Sequence, residues 1–321
     1  MTKTQHWPAL AAALCLTAIL AGVAIGATGW CSPVELGRRL AAGDPILLAL
    51  RAPRVLMVAI LGASLALAGG VMQTLLRNDL ADPYVLGLSG GASLGAVGSL
   101  AWLPGWPPGP AAALGAAGAA AVVRGLTRGS YRPERVLLGG IAVGSLLASI
   151  TGAILLLAPG DRLLRSAMFW LFGGVGTPPP ARLVIPALLL ALALAWLARR
   201  AERLDRLLLG DDVAATLGVC VPDLRRDATL VAVLLTAAAV SVGGMVGFVG
   251  LIAPHAARRL VGAAHRRFLP LAAALGALLV TVADLVARTA FAPRELPVGL
   301  ITAAAGGPFF LALLRRRPAW A

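Results

Sequence analysis

Only one lysine, Lys3, occurs in 321 residues, and only three cysteines and three histidines accompany it. The missing lysine excludes a P-loop, whose G-x-x-x-x-G-K-[ST] pattern needs that side chain on the phosphates. Cys15, Cys31 and Cys220 form no C-x-x-C pair, and His6, His255 and His265 lack the spacing of zinc ligands. No Ser/His/Asp or Cys/His constellation stands out, which argues against a hydrolase. Charge is scarce as well: 13 % of residues are ionised, against about 25 % in soluble domains. A soluble fold is excluded, and so is disorder, which requires low hydrophobicity.

What is present is apolar sequence, 59 % of the chain, punctuated by 38 glycines and 22 prolines. Val55–Leu76 carries no charge, and 22 residues at ~1.5 Å each cover the ~30 Å of bilayer hydrocarbon. Further charge-free runs cover 8–30, 83–123, 136–160, 183–198, 228–257 and 296–314, with a last one at 268–283. The run from Pro83 is broken in two by Trp102-Leu-Pro-Gly-Trp-Pro-Pro-Gly-Pro110. The run 228–257 exceeds one crossing, and its Gly243-Gly244, Gly247, Gly250 and Pro254 predict a full helix followed by a half-helix. The first run is long for a signal peptide and is read as a retained span. The count comes to about ten spans in one all-α polytopic domain covering residues 1–321. Ser166–Trp170, with its flanks Asp161–Arg165 and Gly173-Gly174, predicts a short helix lying at a surface.

Small residues recur every fourth position at Gly62/Ala66/Gly70, Gly87/Gly91/Gly95 and Gly140/Gly144/Ala148/Gly152, the spacing that lets helix backbones approach closely. A short echo between Gly69-Gly70-Val71-Met72 and Gly243-Gly244-Met245-Val246 hints at an inverted repeat.

With an interior N-terminus, 19 basic residues fall inside and nine outside, as the positive-inside rule requires. The net charge of +14 is spread between apolar runs, so topology explains it better than nucleic-acid binding. Ion-coupled carriers keep ionisable groups in mid-span. Here Asp284 is the one clear candidate, and Arg288 four residues on makes an ion pair the simple explanation. A transporter built this way draws its energy from a partner. A secondary carrier or a polytopic membrane enzyme is the competing class.

Several segments, taken in order, resemble the permease subunits of FecCD/BtuC-type ABC importers over nearly the full length. They are Arg51-Ala-Pro-Arg54, Gly69-Gly70-Val-Met-Gln73, Asn78-Asp-Leu-Ala-Asp-Pro83 and Leu86-Gly-Leu-Ser-Gly-Gly-Ala92. Then come Gly247-Phe-Val-Gly-Leu-Ile-Ala-Pro-His255, Ala283-Asp284-Leu-Val-Ala-Arg288 and Glu295-Leu-Pro-Val-Gly299. One departure stands out: the family commonly has proline where this chain has Asp79, which puts a negative charge beside Arg77.

The resemblance implies a type II importer permease, working as a homodimer by alternating access in a bacterial or archaeal cytoplasmic membrane, both termini cytoplasmic. It implies two ATPase subunits, which use the ATP and Mg, and a substrate-binding protein outside. The chain itself binds no cofactor or metal, and its remaining contact is membrane lipid. Iron–siderophore is the leading cargo, then haem and cobalamin. Arg51, Arg54 and Arg288 match positions that pair with acidic residues of the binding protein. The loop 199–226, read as two short helices broken at Gly218 and Pro222, matches the ATPase-coupling element through Asp211, Asp212, Ala214 and Gly218. His255 and Arg258 form a second ATPase contact. Gln73, Ser89 and Ser93 line the path with Asn78 at its end, and Arg132-Pro133-Glu134-Arg135 supplies the gate, as a salt-bridged constriction.

Overall fold

The computed structural model describes residues 7–26, 29–127, 133–158, 161–177 and 179–315. Among these, 13 α-helices run in chain order: α1 (Trp7–Ala24), α2 (Pro33–Ala41), α3 (Ala52–Leu76), α4 (Leu88–Trp102), α5 (Pro108–Leu126), α6 (Pro133–Leu157) and α7 (Asp161–Leu171). They continue as α8 (Val184–Leu207), α9 (Asp211–Thr216), α10 (Val221–Gly243), α11 (Val249–Val261), α12 (His265–Thr289) and α13 (Val298–Arg315). A two-residue antiparallel pair, Ile25–Gly26 with Gly29–Trp30, follows α1. Six helices, α3, α5, α6, α8, α10 and α12, are long and apolar enough to cross a bilayer. The other four expected spans are shorter helices, α1, α4, α11 and α13.

The bundle is organised around α3. A π-helical turn, Ile46–Arg51, leads into it, and Pro53 sits in its first turn, where a missing N–H costs nothing. All its residues except Ala52, Leu56 and Ile60 are buried, because α10, α11 and α12 close over it. Glycine makes that closure possible. A Cβ on Gly62 would sit 2.2 Å from the Gly276 carbonyl oxygen of α12, and one on Gly69 2.0 Å from the Gly250 carbonyl oxygen of α11. The Gly87/Gly91/Gly95 repeat works the same way. Gly91 and Gly95 take the backbone of α5 at Gly115 and Ala111. On α6 the repeat is used only in part: Gly140 packs on Val85 and Gly144 on Gly90, whereas nothing lies within 4 Å of a Cβ at Gly152.

The expected full helix plus half-helix at 228–257 appears as α10 and α11, separated by an extended stretch that ends on Phe248 in the left-handed region (φ 67°). The expectation for 199–226 needs correction. Helix α8 continues to Leu207, α9 alone forms the middle, and Pro222 occupies the first turn of α10 instead of breaking a helix. Proline at that position starts helices, since its fixed φ suits the first turn. Glycines with positive φ make the corners on either side of α9, Gly210 (116°) and Gly218 (79°). The surface helix expected around Ser166–Trp170 is α7, which takes in the leading flank from Asp161 and stops before Gly173, with only Ala167 and Trp170 buried.

Candidate functional site

Charged side chains concentrate at the two ends of α3, roughly 37 Å apart at the rise of an α-helix. At the Arg54 end, Asp284 of α12 is fully buried and takes both Nε and Nη2 of Arg54 on Oδ1, each at 3.1 Å. Its Oδ2 lies 2.9 Å from Arg288 Nε, one helical turn along, without the alignment of a hydrogen bond. Arg54 Nη1 donates to Glu295 Oε2 at 2.9 Å. Arg54 and Arg288 retain only 7 % and 5 % exposure, so the Asp284 carboxylate between them is screened from water, while Glu295 stays open to it.

Arg288, together with Arg51, finishes α1. Its last carbonyls have no intrahelical donor. Arg51 Nη1 donates to Val23 and Ala24 oxygens at 3.2 Å, and Arg288 Nη2 donates to Gly22 oxygen at 3.2 Å. Cations there also complement the negative end of the helix dipole. The expected Asp284–Arg288 pair is present. The Arg54 partnership with Asp284 and Glu295 spans more than 200 residues and left no local trace in the chain. Of the three arginines singled out for docking, Arg54 and Arg288 are engaged inside the protein and Arg51 is half-buried.

At the Arg77 end the bridges are more open. Asp211, the first residue of α9, is held by Arg225 of α10 in a two-point fork, Nη1 to Oδ2 at 2.6 Å and Nη2 to Oδ1 at 2.8 Å. Arg77, just past α3, pairs with the same carboxylate and donates to Leu207 oxygen at 3.1 Å. Asp79 does not stay with Arg77 as its position in sequence suggested. It pairs with Arg258, whose guanidinium lies 4.7 Å from the Phe268 ring centroid. Deeper in, Asp205 accepts from the backbone N–H of His265 at 2.9 Å and from its Nδ1 at 2.5 Å, and His265 Nε2 lies 2.7 Å from Thr74 Oγ1. The Thr74 hydroxyl, with one proton, has both the Gly70 oxygen at 3.0 Å and His265 Nε2 within reach. That chain was missed, because Asp205, His265 and Thr74 meet only when α8, α12 and α3 pack.

The remaining expected residues fall as follows. Asp212 is exposed, Ala214 is fully buried beneath α9, and Gly218 forms its trailing corner. His255 is half-buried edge-on to Phe309, ring centroids 6.0 Å apart. Gln73 is buried and donates to Gly250 oxygen at 3.2 Å, tying α3 to α11. Ser93 donates to Ser89 oxygen at 2.7 Å and touches Met245 sulfur. Asn78 Oδ1 accepts from Leu80 N–H at 2.9 Å, a local turn. Asp82, at the end of that turn, is pushed up to about 6 by burial, against which the Tyr84 N–H at 2.9 Å pulls it down. Pro133, Glu134 and Arg135 begin α6. Glu134 and Arg135 are exposed and make no ion pair among the described residues. Arg132 lies outside the described residues. A cavity of about 900 Å³ opens beside α9, lined by Arg124, Val136, Asp212, Cys220 and Arg226 among others.

An apolar helical bundle charged only at its ends suits a membrane conduit, and comparison with known proteins gives it a family. The FecCD transport family matches residues 10–316. The Fe(3+) dicitrate transport system permease protein FecD of Escherichia coli (strain K12) is 40 % identical over 275 residues, 84 % of this chain and 85 % of that one. The cobalamin import system permease protein BtuC of Halobacterium salinarum is 42 % identical over 84 % of this chain and 73 % of its own length. A solved structure of a metal-chelate type ABC transporter in an inward-facing conformation superposes with a TM-score of 0.85 at 27 % identity, covering 96 % of this chain and 98 % of its own. The chain belongs to the FecCD transport family and is an ABC importer permease.

Proposed function

We propose that two copies of this chain form the translocation path of an importer for a metal chelate, iron–siderophore first, powered by two separate ATPase subunits and supplied by an external binding protein. The observation that carries this reading is the placement of charge: α3 has no ionisable side chain between Arg54 and Arg77, while both of its ends carry ion-pair networks. A path without mid-span ionisable groups offers nothing for a proton or sodium gradient to act on. Similarity to the ferric dicitrate permease supports iron as cargo. The 42 % identity to the cobalamin permease keeps vitamin B12 as the second reading.

In this proposal α9 is the element that meets the ATPase. It is short, it is framed by two glycine corners, and it presents Asp212 to solvent beside an open cavity. Closure of the ATPase pair then moves it as a rigid body. The arginine cluster at the far end meets the binding protein. An acidic residue of that partner reaches Arg54 by taking the place of Glu295, whose side chain is 39 % exposed. Charge-assisted pairs of this kind set orientation and on-rate, which suits a partner that docks and leaves repeatedly.

The test is uptake by vesicles. With ATPase subunits, binding protein and ATP present, a ferric siderophore is expected to accumulate. Vesicles holding the permease alone under an imposed ion gradient are expected to accumulate none, and uphill uptake there would end the proposal.

A further inference from the structure

The α8–α9 corner is gripped from one place. Asp205, near the end of α8, reaches Thr74 through the His265 ring. Two residues later the Leu207 carbonyl accepts from Arg77, and the same guanidinium then takes Asp211 at the start of α9. Thr74 lies in the last turn of α3 and Arg77 is its C-terminal cap, three residues on. All these links therefore converge on one turn of the most buried helix.

Arg77 adopts an unusual backbone to do this. Its φ of 49° and ψ of 39° lie in the left-handed region that favours glycine, and Phe248 is the only other non-glycine with positive φ among the described residues. A helix end needing only a left-handed cap is best served by glycine, so an arginine here is explained by its side chain. The cap turns the chain so that the guanidinium leaves α3 and lies across the corner. Asp211 in turn shares its carboxylate with Arg225, which is 6 % exposed on α10. Displacement of α9 thus meets α3 and α10 through one carboxylate.

We infer that the last turn of α3 receives the motion of α9, with Arg77 as the positioning residue that joins them and Asp211 facing inward as the joint instead of outward as a partner contact. This rests on the proposed role of α9 as the ATPase-facing element. It goes further by assigning the route: α9 to Arg77 to α3, whose other end holds Arg54 in the second charge network.

The experiment uses the dimeric permease with its ATPase subunits in nanodiscs, with Cys15, Cys31 and Cys220 replaced by serine. Spin labels are placed at Val213→Cys on α9 or Leu56→Cys near the Arg54 end of α3, both exposed positions. Distances between the two copies are read with and without ATP and Mg. In the wild type both labels are expected to shift. In Arg77→Gly, which keeps the left-handed cap and removes the guanidinium, the α9 label is expected to shift as before while the α3 shift is lost. Arg77→Lys should retain part of it. An unchanged α3 shift in Arg77→Gly overturns the inference, and so does loss of both shifts together, which would place Arg77 at the ATPase contact. Should Arg77→Gly fail to fold, Asp211→Asn is read by the same criteria. A wild-type complex in which ATP moves neither label sinks the proposed role of α9 itself.

Discussion

The two ends of α3 carry similar chemistry in different surroundings. At the Arg54 end, Asp284 is fully buried between Arg54 and Arg288, themselves 5–7 % exposed, and Arg288 with Arg51 caps α1. At the Arg77 end, the Asp211 side chain is 44 % exposed and Arg77 is 39 % exposed, and only Arg225 on the same carboxylate is buried. Taking charges out of water is costly, and removing one member of a buried set strands the others. A half-exposed pair keeps most of its hydration and contributes little when intact. The first network therefore holds the fold, and the second is soft enough to be remade. Each suits its place in the proposed mechanism: a rigid anchor where α1, α3 and α12 must keep register, and a joint where the ATPase's motion would enter.

The most demanding test of that contrast is Asp284→Asn, which leaves Arg54 and Arg288 buried without a carboxylate between them. We expect a loss of about 3–5 kcal/mol, visible as a large fall in the thermal unfolding temperature of the purified protein. Gly69→Ala tests the packing that frames both ends. Its Cβ would meet the Gly250 carbonyl oxygen at 2.0 Å, so α11 must move off α3 at about 1–3 kcal/mol. Asp211→Asn should cost less than Asp284→Asn, about 1–3 kcal/mol, because its own carboxylate is half-exposed although the Arg225 it holds is buried. Equal melting losses for Asp211→Asn and Asp284→Asn would erase the distinction between anchor and joint. Arg165→Ala marks the lower limit: its pair with Asp161 on α7 is 3.9 Å apart with both side chains more than four-fifths exposed, and the melting temperature should not change.

Much of the architecture was readable before any packing was known. Val55–Leu76 is charge-free at bilayer length, and α3 contains it. The glycines at 243–250 marked the break between α10 and α11, because glycine-rich stretches lose helix stability. Asp284 and Arg288 are neighbours on one helical face, so their pairing follows from spacing alone. The segment 199–226 was misjudged in form. Arg199–Leu207 has as much charge as a loop, yet it continues α8, since arginine, leucine and glutamate are all good helix formers.

What the chain determined by itself was composition, span positions and the family, because each depends on local hydrophobicity or on ordered motifs. Which charge meets which was decided only in three dimensions. Arg54 faces Asp284 and Glu295, Arg77 turns from nearby Asp79 to distant Asp211, and Asp205 finds His265, each across a gap that one-dimensional spacing cannot encode. The physical reason is that an ion pair depends on distance through space and on exclusion of water. Both are set by how the helices close around α3.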